Sequence, residues 1–274
     1  MSHLTHGSID SMGVRLFTTV QHTSATPHAR LLVLHGYGDH SERYHEVMTA
    51  AAAAGIESHA FDFRGHGRSE GRRGFVKRWD DYLDDLDAVA ATMPTDRPRF
   101  VLAHSHGGLV AVIAAQRDRL RVDGVVLASP YLVSAVAVPW FKRLLAAGAN
   151  VVAPSVRIGN GLRADMMTDD PAMLAASQHD PLLLRCATPR WFSGAMRAQS
   201  EAMTNAARFR LPLLMLIGDA DTIASPTGNR AFFNLCRSTD KQLVAHPQRR
   251  HELLRESNRA KVFEAVVGWI AKRS

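Results

Sequence analysis

The stretch RFVLAHSHGGLVAV, residues 99–112, sets Ser105 between His104 and His106, after the apolar run Phe100–Ala103 and before Gly107 and Gly108. A serine hydroxyl becomes a useful nucleophile only when a base takes its proton. On a sharp turn from strand to helix its oxygen projects above the sheet, where a histidine can reach it. Such a turn demands small residues two before and two after the serine. Gly107 meets that demand on one side, and Ala103 adds only a methyl on the other. A helix beginning just after Ser105 also aims backbone N–H groups and a positive dipole end at the site. Taken alone, the stretch serves equally well as a serine capping that helix.

A nucleophile of this kind needs an acid and a base later in the chain, in the order Ser, Asp or Glu, His. The segment LLMLIGDADTIASP supplies a strand, a loop and Asp221, with Asp219 as the alternative acid. The segment LVAHPQRRHELLRE supplies a strand end and His251, with His246 as the alternative base. The acid would hold the imidazole in one tautomer and stabilise the imidazolium. The developing oxyanion needs preorganised donors. The N–H of His106, directly after the nucleophile, is one candidate. The other is the Tyr37 N–H in His35-Gly36-Tyr37-Gly38, where glycines keep the backbone open.

These residues fall at the ends of elements that the pattern predicts. Short apolar runs alternate with helical periodicity, which implies a mostly parallel sheet with helices on both faces. Strands are expected over Leu31–Leu34, Ile56–Phe61, Phe100–Ala103, Val125–Ala128, Leu213–Ile217 and Gln242–Ala245, with Val14–Val20 in an edge hairpin. Helices are expected over Ser41–Ala54, Trp79–Thr92, Leu109–Gln116 and Ala260–Ala271. The alternation stops between Tyr131 and Phe209, where helix-like pieces are punctuated by five prolines and no strand is evident. That segment, 131–209, reads as a helical cap inserted between two strands of a single domain, 1–274. Its apolar start, YLVSAVAVPWFKRLLAAG (131–148), carries Tyr131, Trp140 and Phe141 as candidate substrate-pocket residues, with Lys142 and Arg143 in the middle. An amphipathic helix here could line an acyl pocket and touch a lipid surface. The competing reading packs its apolar face on the core.

Composition excludes several other classes. The chain has 274 residues, 46% hydrophobic and 22% charged, which is the profile of an ordinary globular domain. Its formal net charge of +7 comes from scattered Lys and Arg without interleaved aromatics, so nucleic acid is not the expected partner. Two distant cysteines make no disulfide framework, and no Cys/His cluster has zinc spacing. No metal or organic cofactor is expected. The N-terminal sequence lacks a signal-peptide pattern, and no apolar run reaches the ~18 residues of a membrane span, so the chain reads as cytoplasmic.

With these residues in place, the chain resembles the monoacylglycerol lipase and lysophospholipase-like group of α/β-hydrolases. The matching stretches are HGYGDHSERY (35–44), FDFRGHGRSEG (61–71), AHSHGG (103–108), GDAD (218–221) and RHELLRE (250–256). The resemblance implies an α/β-hydrolase fold with a mostly parallel eight-stranded sheet and a helical cap. It places the nucleophile at Ser105, the acid at Asp221 and the base at His251, with oxyanion donors at Tyr37 and His106. Two positions depart from the group: Ala103 replaces a glycine, and His106 stands where methionine is usual. His35 and His66 read as structural, Asp62 as the anchor of its loop, Asp39 and Glu42 as ties on the first loop, and His104 as a core histidine pointing back toward the sheet.

The expected activity is hydrolysis of carboxylic esters through an acyl-enzyme, on monoacylglycerol- or lysophospholipid-like substrates. A carboxylesterase or thioesterase for small substrates is the enzymatic alternative, and a non-catalytic binding protein of the same fold is the alternative outside catalysis. Haloalkane dehalogenase or epoxide hydrolase chemistry would want an aspartate at position 105.

Overall fold

A computed structural model describes residues 2–136 and 139–274; for Lys142 and Arg143 the backbone alone is described. An antiparallel hairpin, β1 (Leu4–Ser11) and β2 (Val14–Gln21), opens the chain. Met12 (φ +52°) and Gly13 (φ +78°) form its two-residue turn, whose left-handed conformation matches the twist of the strands it joins. Then follow β3 (Ala29–Leu34), α1 (His45–Ala53), β4 (Ile56–Phe61), α2 (Asp80–Thr92), β5 (Arg99–His104), α3 (Ser105–Gln116) and β6 (Gly124–Ala128). The segment after β6 contains α4 (Trp140–Val152), β7 (Ile158–Gly159), α5 (Pro171–His179), β8 (Cys186–Ala187) and α6 (Pro189–Thr204). The chain closes with β9 (Leu213–Gly218), α7 (Pro226–Leu235), β10 (Lys241–His246) and α8 (Arg259–Ala271).

Eight strands form one sheet in the order β1-β2-β4-β3-β5-β6-β9-β10. Every pairing from β4 to β10 is parallel, while the hairpin joins antiparallel through β2. The central strands β3, β5, β6 and β9 are nearly unbroken apolar runs because both of their faces are covered. One face packs α1 and α8 through Val47, Met48, Ala51, Val262, Val266 and Ile270. The other packs α2, α3, α6 and α7, with Leu83, Leu86, Val110 and Phe232 among the buried side chains.

The observed elements include α7, which was not among the expected helices, and differ from expectation in three further places. The first helix begins as a 3-10 turn, Ser41–Tyr44, before α1. Helix α3 starts at Ser105 itself, four residues earlier than Leu109, so Gly107 and Gly108 are helical. The 131–209 segment contains a short antiparallel ladder, β7 with β8, where no strand was evident. Among the described residues no helix is long and apolar enough to cross a membrane.

Candidate active site

Ser105 sits between the end of β5 and the start of α3, with φ +50°. A non-glycine residue holds that left-handed conformation only where its surroundings impose it. The imposition is visible two residues on. A Cβ at Gly107 would stand 2.6 Å from the Leu34 carbonyl oxygen and 2.7 Å from that of His35. The first turn of α3 is pressed against the end of β3, and only glycine fits. Gly108 meets Pro130 in the same way, at 2.8 Å. Ala103 is wholly buried, and its methyl is accommodated.

Asp221 lies in the loop after β9 and His251 in the loop after β10. The Ser105 Oγ–H donates to His251 Nε2 at 2.9 Å. His251 Nδ1–H donates to Asp221 Oδ2 at 2.8 Å. The other Asp221 oxygen accepts the N–H groups of Ile223 and Ala224, at 2.8 and 2.9 Å, which fixes the carboxylate plane. Burial alone would lower the pKa of His251. The charge and hydrogen bond of Asp221, helped by Glu252 and Asp39, more than offset it and hold the imidazole above the ordinary histidine value. Burial pushes Asp221 the other way, yet His251 and the two N–H groups hold its carboxyl below the usual range. The alternatives fall away from Ser105: Asp219 pairs with Arg230 at 2.8 Å near the surface, and His246 ends β10 without joining the Ser105–His251–Asp221 chain.

Among the described residues neither the Tyr37 N–H nor the His106 N–H donates a hydrogen bond within the protein. The ties around them match the roles expected of the neighbouring polar residues. His35 accepts from Phe63 N at 2.9 Å and lies 2.7 Å from Gly36 O through Nδ1. His66 lies 3.1 Å from Arg64 O. Asp62 accepts the N–H groups of Ser41 and Arg68, both at 2.7 Å. Glu42 pairs with Arg68, and Asp39 accepts from Tyr44 Oη at 2.9 Å. His104 bonds the sheet through Ala128 O at 3.1 Å, but its ring also stands 4.9 Å from that of His251 and reaches the cavity wall. Burial, then the neighbouring His251, push its pKa down to about 3.

Ser105 and His251 open into a cavity of about 620 Å³, within the usual span of about 300–1,000 Å³ for ligand pockets. Its apolar walls come largely from the 131–209 segment, including Tyr131, Leu145, Ala149, Trp191 and Phe192. Of the candidate pocket residues, Tyr131 lines this cavity. Trp140 and Phe141 are not among its lining residues, and the next turns of α4, with Leu145 and Ala149, supply the lining instead. Nor does α4 pack its apolar side on the core, since Leu144, Val151 and Val152 are exposed. Residues 137 and 138 and the Lys142 and Arg143 side chains, part of that apolar stretch, lie outside the described residues.

Three features of the cavity were not foreseen. Asp39, expected only to tie a loop, lines it, as does Glu252 next to His251. Arg43 joins the two acids, 2.8 Å from Asp39 and 2.9 Å from Glu252. Trp191 lines it from the first turn of α6. A carboxylate directly after His251 was the one signal in the sequence that pointed to this side of the site. The loop carrying His251 is also stitched to the segment 167–170: Glu252 N donates to Met167 O at 2.7 Å, Arg250 Nη1 to Thr168 O at 2.8 Å, and Asp169 N to Glu256 Oε2 at 2.8 Å.

A nucleophile elbow on a parallel sheet, with an acid and a histidine brought from the two following strand ends, defines an α/β-hydrolase. The sequence pattern of the family described as Serine aminopeptidase, S33, matches residues 25–258, and the chain belongs to that family. It is 30% identical over 262 residues to the monoacylglycerol lipase of Mycolicibacterium smegmatis, covering 94% of this chain and 93% of that one. It is 30% identical to phospholipase YtpA of Bacillus subtilis, over 88% of this chain and 94% of that one. The crystal structure of Paleococcus ferrophilus monoacylglycerol lipase superposes with a TM-score of 0.87 at 27% identity, over 94% and 99% of the two chains. The protein is a serine hydrolase acting on carboxylic esters, as the residues had implied.

Proposed function

We propose that Ser105, His251 and Asp221 are the catalytic triad, and that the substrate is a monoacylglycerol. The 2.9 and 2.8 Å chain Ser105–His251–Asp221, opening into an apolar cavity, carries this reading. Ser105 attacks the ester carbonyl as His251 takes its proton. The tetrahedral oxyanion is held by the N–H groups of Tyr37 and His106. His251 returns the proton to the leaving alcohol, and an acyl-enzyme remains. Water, deprotonated by His251, then releases the fatty acid.

The two carboxylates beside the cavity, Asp39 and Glu252, favour a neutral polyol over a phosphodiester as the leaving group. Hydroxyls can donate to them, whereas a phosphate would bring a like charge to two carboxylates already paired by Arg43 and, at Glu252, by Arg255. The similarity to a monoacylglycerol lipase agrees with this preference, and the similarity to a phospholipase supplies the alternative. A small-substrate carboxylesterase would leave most of the apolar cavity unused.

In this reading residues 131–209 act as a cap, and the exposed apolar side of α4, with Trp140 and Phe141 at its start, rests on lipid surfaces that hold the substrate. The location proposed is cytoplasmic, in keeping with Cys186 and Cys236 being free thiols. The deciding experiment is hydrolysis of p-nitrophenyl esters from acetate to palmitate, followed by monoacylglycerol and lysophospholipid, with Ser105→Ala beside the parent. Turnover of long-chain esters and monoacylglycerol by the parent, with none by Ser105→Ala, is expected. Inactivity of the parent on every ester would overturn the reading in favour of a binding protein.

A further inference from the structure

We propose that Trp191, on the first turn of α6, is a positioning residue for the oxyanion hole, acting through Tyr37. The inference rests on the assignment of the Tyr37 N–H as an oxyanion donor. Tyr37 lies between Gly36 and Gly38, so its own backbone does little to fix where that N–H points. What fixes it comes from the 131–209 segment. The Trp191 ring stacks on the Tyr37 ring, with centroids 3.6 Å apart and planes 28° from parallel. The Tyr37 hydroxyl lies 3.1 Å from Cys186 O and 3.2 Å from Gly74 O, to either of which it can donate. Leu184 N donates to Gly38 O at 2.8 Å. Gly38 holds φ +77°, and a Cβ there would stand 2.7 Å from Leu184 O, so the two segments touch backbone to backbone. Trp191 is held in turn. Its backbone N–H donates to Thr188 Oγ1 at 3.3 Å, and Thr188 donates to the same Gly74 O at 2.8 Å.

An oxyanion donor works only within about 2.7–3.1 Å of the developing charge, and losing one costs about 10²–10³ in kcat. A donor held by a stack and a few hydrogen bonds is sensitive to that stack. Trp191 also forms part of the cavity wall, and a wall residue and a positioning residue leave different kinetic traces. Loss of a wall weakens binding of long acyl chains. Loss of positioning slows the chemistry for an acyl group too short to reach the wall.

The test is Trp191→Ala on p-nitrophenyl acetate. The expected result is a kcat lower by about tenfold or more, a fraction of the full donor effect, with KM changed less than about twofold. Trp191→Phe, which keeps a stacking ring, should recover most of the rate. Trp191→Leu carries the same expectation as the alanine variant should that one fail to fold. Inhibition of the parent by a short trifluoromethyl ketone serves as the control. Its carbonyl carbon bonds to Ser105 Oγ, the serine proton passes to His251, and the oxygen anion sits in the hole. A parent that binds the trifluoromethyl ketone no better than the matching methyl ketone would overturn the oxyanion assignment and this inference with it. A parent that passes, beside Trp191→Ala and Trp191→Leu variants with full kcat on acetate, would leave the oxyanion assignment standing and reduce Trp191 to a wall.

Discussion

Replacing His106 by methionine should stabilise the protein, and more so in acid. The His106 imidazole is fully buried, and neither ring nitrogen has a hydrogen-bond partner. Aromatic rings surround it: Tyr82 at 4.7 Å, Trp79 at 5.2 Å, Phe63 at 5.4 Å and Trp191 at 5.9 Å between centroids. A buried polar group left unpaired costs about 1–3 kcal/mol, and weak N–H contacts with ring faces return about 0.5–1 kcal/mol. Methionine fills such a space without polar nitrogens. The net gain is about 1–2 kcal/mol at neutral pH. At about 2–4 °C per kcal/mol for a chain of this order, the melting temperature should rise by about 2–8 °C.

Acid adds a second term. Burial, with His66 and His35 nearby, holds His106 well below its ordinary value of 6.5, so the folded state resists a proton that the unfolded state accepts. Its contribution to stability is complete above pH 6.5 and is lost as pH falls, by about 1.4 kcal/mol per pH unit. The methionine variant lacks that loss, while His66 and His104 act alike in both proteins. Urea titrations at pH 7.5 and 5.5 read the difference directly. The gap between variant and parent should widen by about 1.4 kcal/mol at the lower pH. A variant less stable than the parent at both values, with a gap that does not widen, would refute the premise that this imidazole is unpaired.

With His251 as the proposed base, the acid limb of kcat/KM should lie above pH 6.5, because its neighbours raise it. Glu252→Gln removes one of the charges that raise it and should move the limb to lower pH; a pH–rate profile that does not move would count against this. Gly107→Ala should lower stability by about 3 kcal/mol, the upper end for overpacking, since its Cβ would stand 2.6 Å from a backbone oxygen. Thermal melts showing less than 2 °C of change would contradict the contact. Trp140→Ser with Phe141→Ser should weaken co-sedimentation with phosphatidylcholine vesicles, and unchanged binding would remove α4 from any role at a lipid surface.

The sheet and the Ser105–His251–Asp221 chain were legible because both depend on local signals in a fixed order. Apolar runs end in a serine, an aspartate and a histidine, and a parallel sheet brings those ends to one edge. The start of α3 was less legible, since Gly107 and Gly108 look like a turn. Their reason for being glycine is the close approach of Leu34, His35 and Pro130, which are distant in sequence. The apolar stretch around Trp140 was read correctly as helical, but periodicity cannot say which side of a helix faces a cavity. Leu145 and Ala149 line the wall, while Trp140 and Phe141 do not. Arg43, Glu252 and Trp191 drew no notice because each matters through partners that folding brings to it.

The bonds from Met167, Thr168 and Asp169 to the loop of Glu252, Arg250 and Glu256 bear on how such an enzyme can diversify. The segment that shapes the cavity also grips both flanks of His251. A chimera that exchanges residues 131–209 alone would bring foreign fasteners to His251, and its substrate range would change together with the aim of that imidazole. The transferable module is larger: it includes residues 249–256, so that selectivity and proton transfer are inherited as one piece.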